Sequence, residues 1–343
     1  MGFVDKRKIV EEEEVEPKKR KRRKILIGVV SAILVIVLAV IAFAGNYLFD
    51  FAIVRKYENA PDVEPESITS DEAGAVMDAN REWIMAQCDV WLETVDCEAI
   101  EITSEDGLKL RGNIYWAEEE TNKWTVVIHG YGGKKENMID TACFFALEGY
   151  NVFMPDLRGH GQSEGKYFGM GWLDRKDILG WIDALVSIDQ QAEIILYGVS
   201  MGGATVMMVS GEELPANVKG IVEDCGYATV WDIFSDELEY IFGLPEFPLL
   251  YSASAICKLR AGYTFGEASA IEQVAKAKVP MLFIHGSADS FVLPYMIEKV
   301  YEVCPTTKDM LVIEGAGHCE AYCMDPELYF DTVFGFINEN CIK

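Results

Sequence analysis

Three textures of apolar and polar positions succeed one another along the chain. Ile25 to Phe49 is an unbroken stretch of 25 uncharged residues dominated by Ile, Val, Leu and Ala. As a helix rising 1.5 Å per residue it would be about 37 Å long, more than the roughly 30 Å of bilayer hydrocarbon. Residues 50 to 69 carry Pro61, Pro65 and many acids and read as a linker holding the next part off a membrane. Ser70-Asp71 can cap a helix whose apolar positions Ala73, Met77, Ile84, Cys88, Trp91 and Val95 recur at threes, fours and sevens. That stripe is expected to pack against the domain that follows. Glu98 to Thr103 and Leu108 to Trp116 then alternate around Glu105-Asp106-Gly107, which predicts a β-hairpin.

From residue 124 short, continuous apolar runs alternate with longer helical stretches. The predicted strands are 124 to 128, 150 to 154, 194 to 197, 220 to 222, 279 to 284 and 310 to 313. Strands apolar on both faces that alternate with helices imply a mostly parallel sheet covered on both sides, an α/β fold. Ligands of such sheets bind beyond the carboxyl ends of the strands. Each predicted strand here runs into a stretch with chemical potential: His129-Gly130-Tyr131-Gly132-Gly133, Pro155 to Gly161, Gly198-Val199-Ser200-Met201-Gly202, Glu223-Asp224, His285 to Asp289 and Glu314 to His318.

Gly198 to Gly202 is a Gly-x-Ser-x-Gly elbow between a strand and a helix, a turn that exposes the serine hydroxyl and leaves no room for a Cβ at the flanking positions. Ser200 is therefore the candidate nucleophile. Its hydroxyl needs an imidazole to take the proton and a carboxylate to fix that imidazole's tautomer. The chain has four histidines. His129, His160 and His285 each precede a glycine in a strand-exit turn, a setting for loop support, whereas His318 follows the last strand. With Asp289 past the preceding strand, the order Ser, Asp, His is complete. Asp289 is preferred to Glu314 because it lies several residues beyond a strand end. Backbone N–H groups of Met201 and Tyr131 are the candidate oxyanion donors.

These motifs, from His-Gly-Tyr-Gly at 129 to Gly-His at 317, together resemble the α/β-hydrolase superfamily. The resemblance is to its bacterial serine-aminopeptidase-like and monoacylglycerol-lipase-like branch with an N-terminal anchor, and it covers roughly residues 98 to 343. It implies Ser200, Asp289 and His318 as triad and Tyr131 and Met201 as oxyanion donors. It also implies carboxylesterase, lipase, thioesterase, acyltransferase or peptidase chemistry. The insertion at about 226 to 270 is expected to be a lid whose many aromatic and aliphatic residues either pack onto the sheet or line an acyl pocket. A compact apolar lid favours an uncharged small-molecule ester with a small or medium acyl group.

Charge sets the topology and narrows the partners. Ten of the 30 Lys+Arg fall in residues 1 to 24, including the run 18 to 24 just before the apolar stretch. The positive-inside rule puts residues 1 to 24 in the cytoplasm, residues 25 to 49 across the membrane and the catalytic domain outside. Ala42-Phe43-Ala44 matches a signal-peptidase site, but the apolar run exceeds the usual 7 to 15 residues of a cleaved signal. Residues 50 to 343 hold 20 basic and 50 acidic groups, a surface that repels nucleic acid. Walker spacing is missing at Gly130 to Lys135. No cofactor is expected. Nine irregularly spaced cysteines are not a disulfide framework, and Cys319-x-x-x-Cys323 beside His318 lacks the second pair of a zinc finger. A non-catalytic binding protein on a hydrolase scaffold is the rival from another class.

Overall fold

The apolar runs form one eight-stranded sheet in the order β1-β2-β4-β3-β5-β6-β7-β8 in a computed structural model, which describes residues 6–55 and 71–342. The strands are β1 (Cys97–Thr103), β2 (Lys109–Tyr115), β3 (Lys123–Ile128), β4 (Asn151–Pro155), β5 (Glu193–Val199), β6 (Val218–Asp224), β7 (Met281–Gly286) and β8 (Lys308–Ile313). β1 and β2 make the antiparallel hairpin and β2 pairs antiparallel with β4; every later pairing is parallel. The helices are α1 (Lys6–Ala52), α2 (Asp71–Thr94), α3 (Ile139–Leu147), α4 (Asp174–Ile188), α5 (Met201–Val209), α6 (Val230–Phe242), α7 (Glu246–Ala261), α8 (Ala270–Val274), α9 (Tyr295–Val303), α10 (Ala321–Met324) and α11 (Pro326–Asn340).

Alternate residues of the central strands feed two separate cores. Trp124, Val126 and Ile128 of β3 and Ile194 and Leu196 of β5 pack on one face with Ile178, Trp181 and the helices of that side. Val127, Ile195 and Tyr197 pack on the other with Phe145, Tyr329 and Val333. Both faces are therefore dry, which is why these strands read as continuous apolar runs.

The apolar stripe of α2 does pack on the domain: Met77, Ile84 and Cys88 are buried with Cys143 and Cys323. Asn80 Nδ2 donates to the Cys323 carbonyl at 2.8 Å. Ser70, the expected cap, lies outside the described residues.

The linker expectation fails where it begins. α1 does not end at Phe49; Asp50 to Ala52 continue it, and Phe49 and Ile53 are fully buried in the core. The cause is a run of apolar residues on one side of the last turns, with Leu48 and Ala52 packed on that core too. Gly45 meets the Ser252 side chain of α7 where a Cβ would not fit, and Ser252 Oγ donates to the Ile41 carbonyl at 3.1 Å. Arg260 donates to Asn46 Oδ1 at 2.8 Å and pairs with Asp50 at 2.7 Å. The domain is docked directly on the end of α1. Residues 56 to 69 of the expected linker lie outside the described residues.

Between β6 and α8 the insertion folds as α6 and α7. The Thr229 hydroxyl caps α6 by accepting from the Asp232 N–H at 2.9 Å, and Gly243, at φ 62°, closes it in the left-handed region.

Candidate active site

Ser200 stands between β5 and α5 with φ 57° and ψ −118°, a conformation an L-residue rarely holds. Two bonds over-determine it: its N–H donates to the Asp224 carbonyl at 2.8 Å and its carbonyl accepts from Ala204 N–H at 2.9 Å. A Cβ at Gly198 would run into the Gly202 carbonyl, and one at Gly202 into the Ile128 carbonyl. The glycines thus let the turn close against β3.

His318, on the loop after β8, joins the other two elements. Its Nε2 is 2.8 Å from Ser200 Oγ and its Nδ1 is 2.7 Å from Asp289 Oδ2. Asp289 is itself held: its other oxygen, Oδ1, accepts from the Phe291 and Val292 N–H groups, both at 2.9 Å. With the carboxylate accepting from Nδ1–H, Nε2 is left to accept from the serine hydroxyl. Glu314 is exposed and away from this chain of bonds.

Burial opposes a charged His318, yet the Cys225 sulfur and the Asp289 carboxylate outweigh it and raise its pKa well above the ordinary histidine value. Burial also keeps the Cys225 thiol protonated, so the lasting contribution is that of Asp289.

Gly130 lies against the elbow, where a Cβ would come 3.3 Å from Ser200 Cβ. Among the described residues, the N–H groups of Tyr131 and Met201 donate to no protein acceptor. The Tyr131 hydroxyl donates to the Ala52 carbonyl at 2.8 Å. The site accordingly combines a strained hydroxyl, a buried imidazole bonded to a carboxylate, and two unengaged donors on neighbouring segments.

The remaining histidines support loops, as their positions predicted. His129 Nε2 accepts from Leu157 N–H at 3.0 Å while Nδ1 donates to the Gly130 carbonyl. His160 Nε2 accepts from Gly132 N–H at 3.2 Å while Nδ1 donates to the Arg158 carbonyl. Burial lowers both pKa values, and both rings are neutral. His285 Nε2 donates to the Val292 carbonyl at 2.8 Å, beneath Asp289.

A segment of the chain, residues 119–229, matches the family model described as serine aminopeptidase, S33. The fold, the order of the motifs and this match agree. The chain has the α/β-hydrolase fold. It is similar to the Bacillus subtilis protein YqkD, 28% identical over 72% of this chain and 81% of that protein. It is also similar to the Saccharomyces cerevisiae membrane protein YNL320W, 22% identical over 71% of this chain and 80% of that one. Among solved structures, the Pyrococcus furiosus esterase Pf2001 superposes with a TM-score of 0.59 at 23% identity, covering 72% of this chain and 94% of that one.

Three features of the site are not legible in the sequence. Cys225 and Cys319 converge beside His318, their sulfurs 3.6 Å apart, although 94 positions separate them. Cys225, His318 and Cys319 form the one group of metal-ligating side chains found among the described residues. Cys323, which the spacing had paired with Cys319, instead sits in the α2 cluster, and both His318 nitrogens already face Asp289 and Ser200. Glu237 of α6 is the second surprise: burial pushes its carboxyl up to about 7, with His318 and Asp289 among the charges it feels. The third is the buried support under the loops. Lys135 pairs with Asp156 at 2.9 Å, and Arg158 clamps Asp177 at 2.6 Å and Asp106 at 2.9 Å. Only a three-dimensional approach creates these contacts, and no local pattern announces them.

Proposed function

We propose that the chain is a membrane-tethered serine hydrolase that cleaves an uncharged carboxylic ester of a small or medium acyl group through an acyl-enzyme. Ser200 Oγ attacks the ester carbonyl while His318 Nε2 takes its proton. The oxyanion is received by the Met201 N–H, at the start of α5, and the Tyr131 N–H. Such donors are each worth about two to three decades in rate. His318 then returns the proton to the leaving alkoxide, and in the second half-reaction removes one from the water that releases the acid. Asp289 holds the Nδ1 proton and stabilises the imidazolium throughout.

The observation that carries this reading is the two-sided bonding of His318, at 2.8 Å to Ser200 and 2.7 Å to Asp289. That the Pyrococcus neighbour is an esterase supports the choice of ester. The serine aminopeptidase description of the matching family model favours one second reading, in which the same groups cleave or form an amide. For the tether, the support is a helix long and apolar enough to cross a bilayer from Arg20 to Ala52, whose first residues, Arg20 to Lys24, are basic and exposed. The orientation with the basic end in the cytoplasm follows from that run.

A panel of p-nitrophenyl esters of graded acyl length tests the reading. Turnover that peaks at short or medium chains and vanishes in Ser200→Ala is expected. Turnover retained in Ser200→Ala removes the reading, and product analysis with amine acceptors separates hydrolysis from amide chemistry.

A further inference from the structure

The insertion over the site ends in a surface ill-suited to water. Every residue from Glu239 to Phe247 is exposed, and this stretch holds Tyr240, Ile241, Phe242, Leu244 and Phe247, with Tyr240 and Phe247 each 73% exposed. α7 prolongs it with Tyr251, Ala255 and Leu259, exposed at intervals of four along one face. Contiguous apolar surface of this kind marks a contact with something other than solvent.

We propose that this tip, together with the start of α7 as far as Tyr251, is seated in the bilayer leaflet on the catalytic side, beside α1, and that the ester substrate is a membrane-dissolved one that enters the site from that leaflet. The proposal rests on the reading of α1 as a spanning helix.

The apolar tip adjoins α1. α7 lies along the end of α1 in the same direction: Ser252 meets Ile41 and Gly45, and Arg260, two turns later, meets Asn46 and Asp50. The Phe51 and Phe242 rings are also in edge contact, with centroids 5.7 Å apart, which puts the end of α6 at the level of the lipid headgroups, about 10 Å beyond Ala44. Depth follows from length. Roughly 20 helical residues cross the hydrocarbon, so a span that starts at Ile25, after the basic run, reaches the far interface near Ala44. Ser252 contacts α1 at that level. Pro248 lies four residues earlier on α7, about 6 Å further toward the membrane interior, and the exposed Phe247 stands at the break in the helix just before it.

Charge is arranged to match. No Lys or Arg occurs between Trp231 and Cys257, and the cations Lys258 and Arg260 sit at the end of α7 away from the tip. The acids there are Glu239 and Glu246, and Glu246 Oε1 accepts from Ser235 Oγ at 2.7 Å. Aromatic and aliphatic side chains with no cationic neighbours fit an uncharged interfacial zone better than an anionic headgroup layer.

The same helix links the bilayer to the chemistry. α6 is fixed to α9 by Tyr295, whose hydroxyl donates to Asp236 at 2.8 Å, and by the Lys299–Asp232 pair at 3.3 Å. Between those anchors and the tip stands Glu237, close enough to feel His318 and Asp289. One turn further on, α6 emerges as Tyr240, Ile241 and Phe242. About one turn of α6 separates Glu237 from the tip.

The test uses the full chain in phosphatidylcholine nanodiscs with two esters of one leaving group: p-nitrophenyl acetate, which stays in water, and p-nitrophenyl decanoate, which partitions into lipid. For the wild type, the decanoate rate should follow its mole fraction in the bilayer and fall as lipid is added at constant total ester; a rate indifferent to lipid overturns the proposal. In I241E/F247E the decanoate kcat/KM should fall at least tenfold while the acetate value stays within twofold. Retention of both rates, or their equal loss, overturns it, the second because the tip would then serve the chemistry itself. Acetate turnover that survives Ser200→Ala would sink the hydrolase reading instead, and release of the chain by alkaline carbonate would sink the spanning helix together with this proposal.

Discussion

The hydroxyl of Tyr131 donates to the carbonyl of Ala52 at 2.8 Å, tying the loop beside the Ser200 elbow to the last turn of α1. Two more bonds reinforce this tie, since Arg55 donates to the carbonyls of Ser163 and Gly161, each at 2.7 Å, in the loop after β4. α1 thereby braces the loop that carries the proposed oxyanion donor, the Tyr131 N–H. A hydrogen bond of this kind is worth about 0.5 to 1.5 kcal/mol net. Tyr131→Phe keeps the backbone N–H and is expected to lower kcat by about threefold to tenfold with little change in KM. Steady-state kinetics on a p-nitrophenyl ester check it, and an unchanged kcat refutes the brace.

His318 must be neutral to take the serine proton, and Asp289 raises its pKa above the ordinary 6.5. The rising limb of kcat/KM against pH is therefore expected above 6.5, with activity lost as pH falls through it. Asp289→Asn removes the anion, so that burial alone acts and the limb moves to lower pH. The same change leaves the imidazole in the wrong tautomer and costs kcat about four decades. A pH profile of both proteins reads the two effects separately.

Gly202 cannot take a side chain, because its Cβ would meet the Ile128 carbonyl of β3. Backbone offers no rotamer to give way. Gly202→Ala is expected to cost about 3 kcal/mol of stability, read as a lowered denaturant midpoint, and to abolish turnover. Normal stability with normal turnover would show that the elbow has room.

Cys319 is half-exposed and adjoins His318, whereas its neighbour Cys225 is buried. A carbamidomethyl group there would crowd the imidazole. Iodoacetamide should inactivate the protein, and Cys319→Ala should retain turnover and resist the reagent. Equal sensitivity of both proteins would move the effect to another thiol.

Sequence pattern was a good guide wherever structure is local. Continuous apolar runs such as Ile194 to Tyr197 became interior strands because both faces of the sheet are dry, and the elbow was readable because Gly198 and Gly202 answer to steric limits within five residues. His318 was separable from three other histidines by its position after the last strand. The end of α1 was misjudged because its contacts are remote: Ser252 and Ile41 are 211 positions apart, and acids and prolines further on resembled a spacer. The lid's aromatic residues were likewise ambiguous between packing and lining. Phe234, packed on Phe265, and Phe247, exposed, look alike in a sequence.

The central claim is that Ser200 is the nucleophile that His318 activates. A fluorophosphonate probe, followed by peptide mapping, tests it most directly. The account predicts one adduct, on Ser200, formed at a rate that falls sharply in His318→Ala. An enzyme that turns over esters while its adduct lies elsewhere, or that labels at Ser200 equally fast without His318, would contradict it.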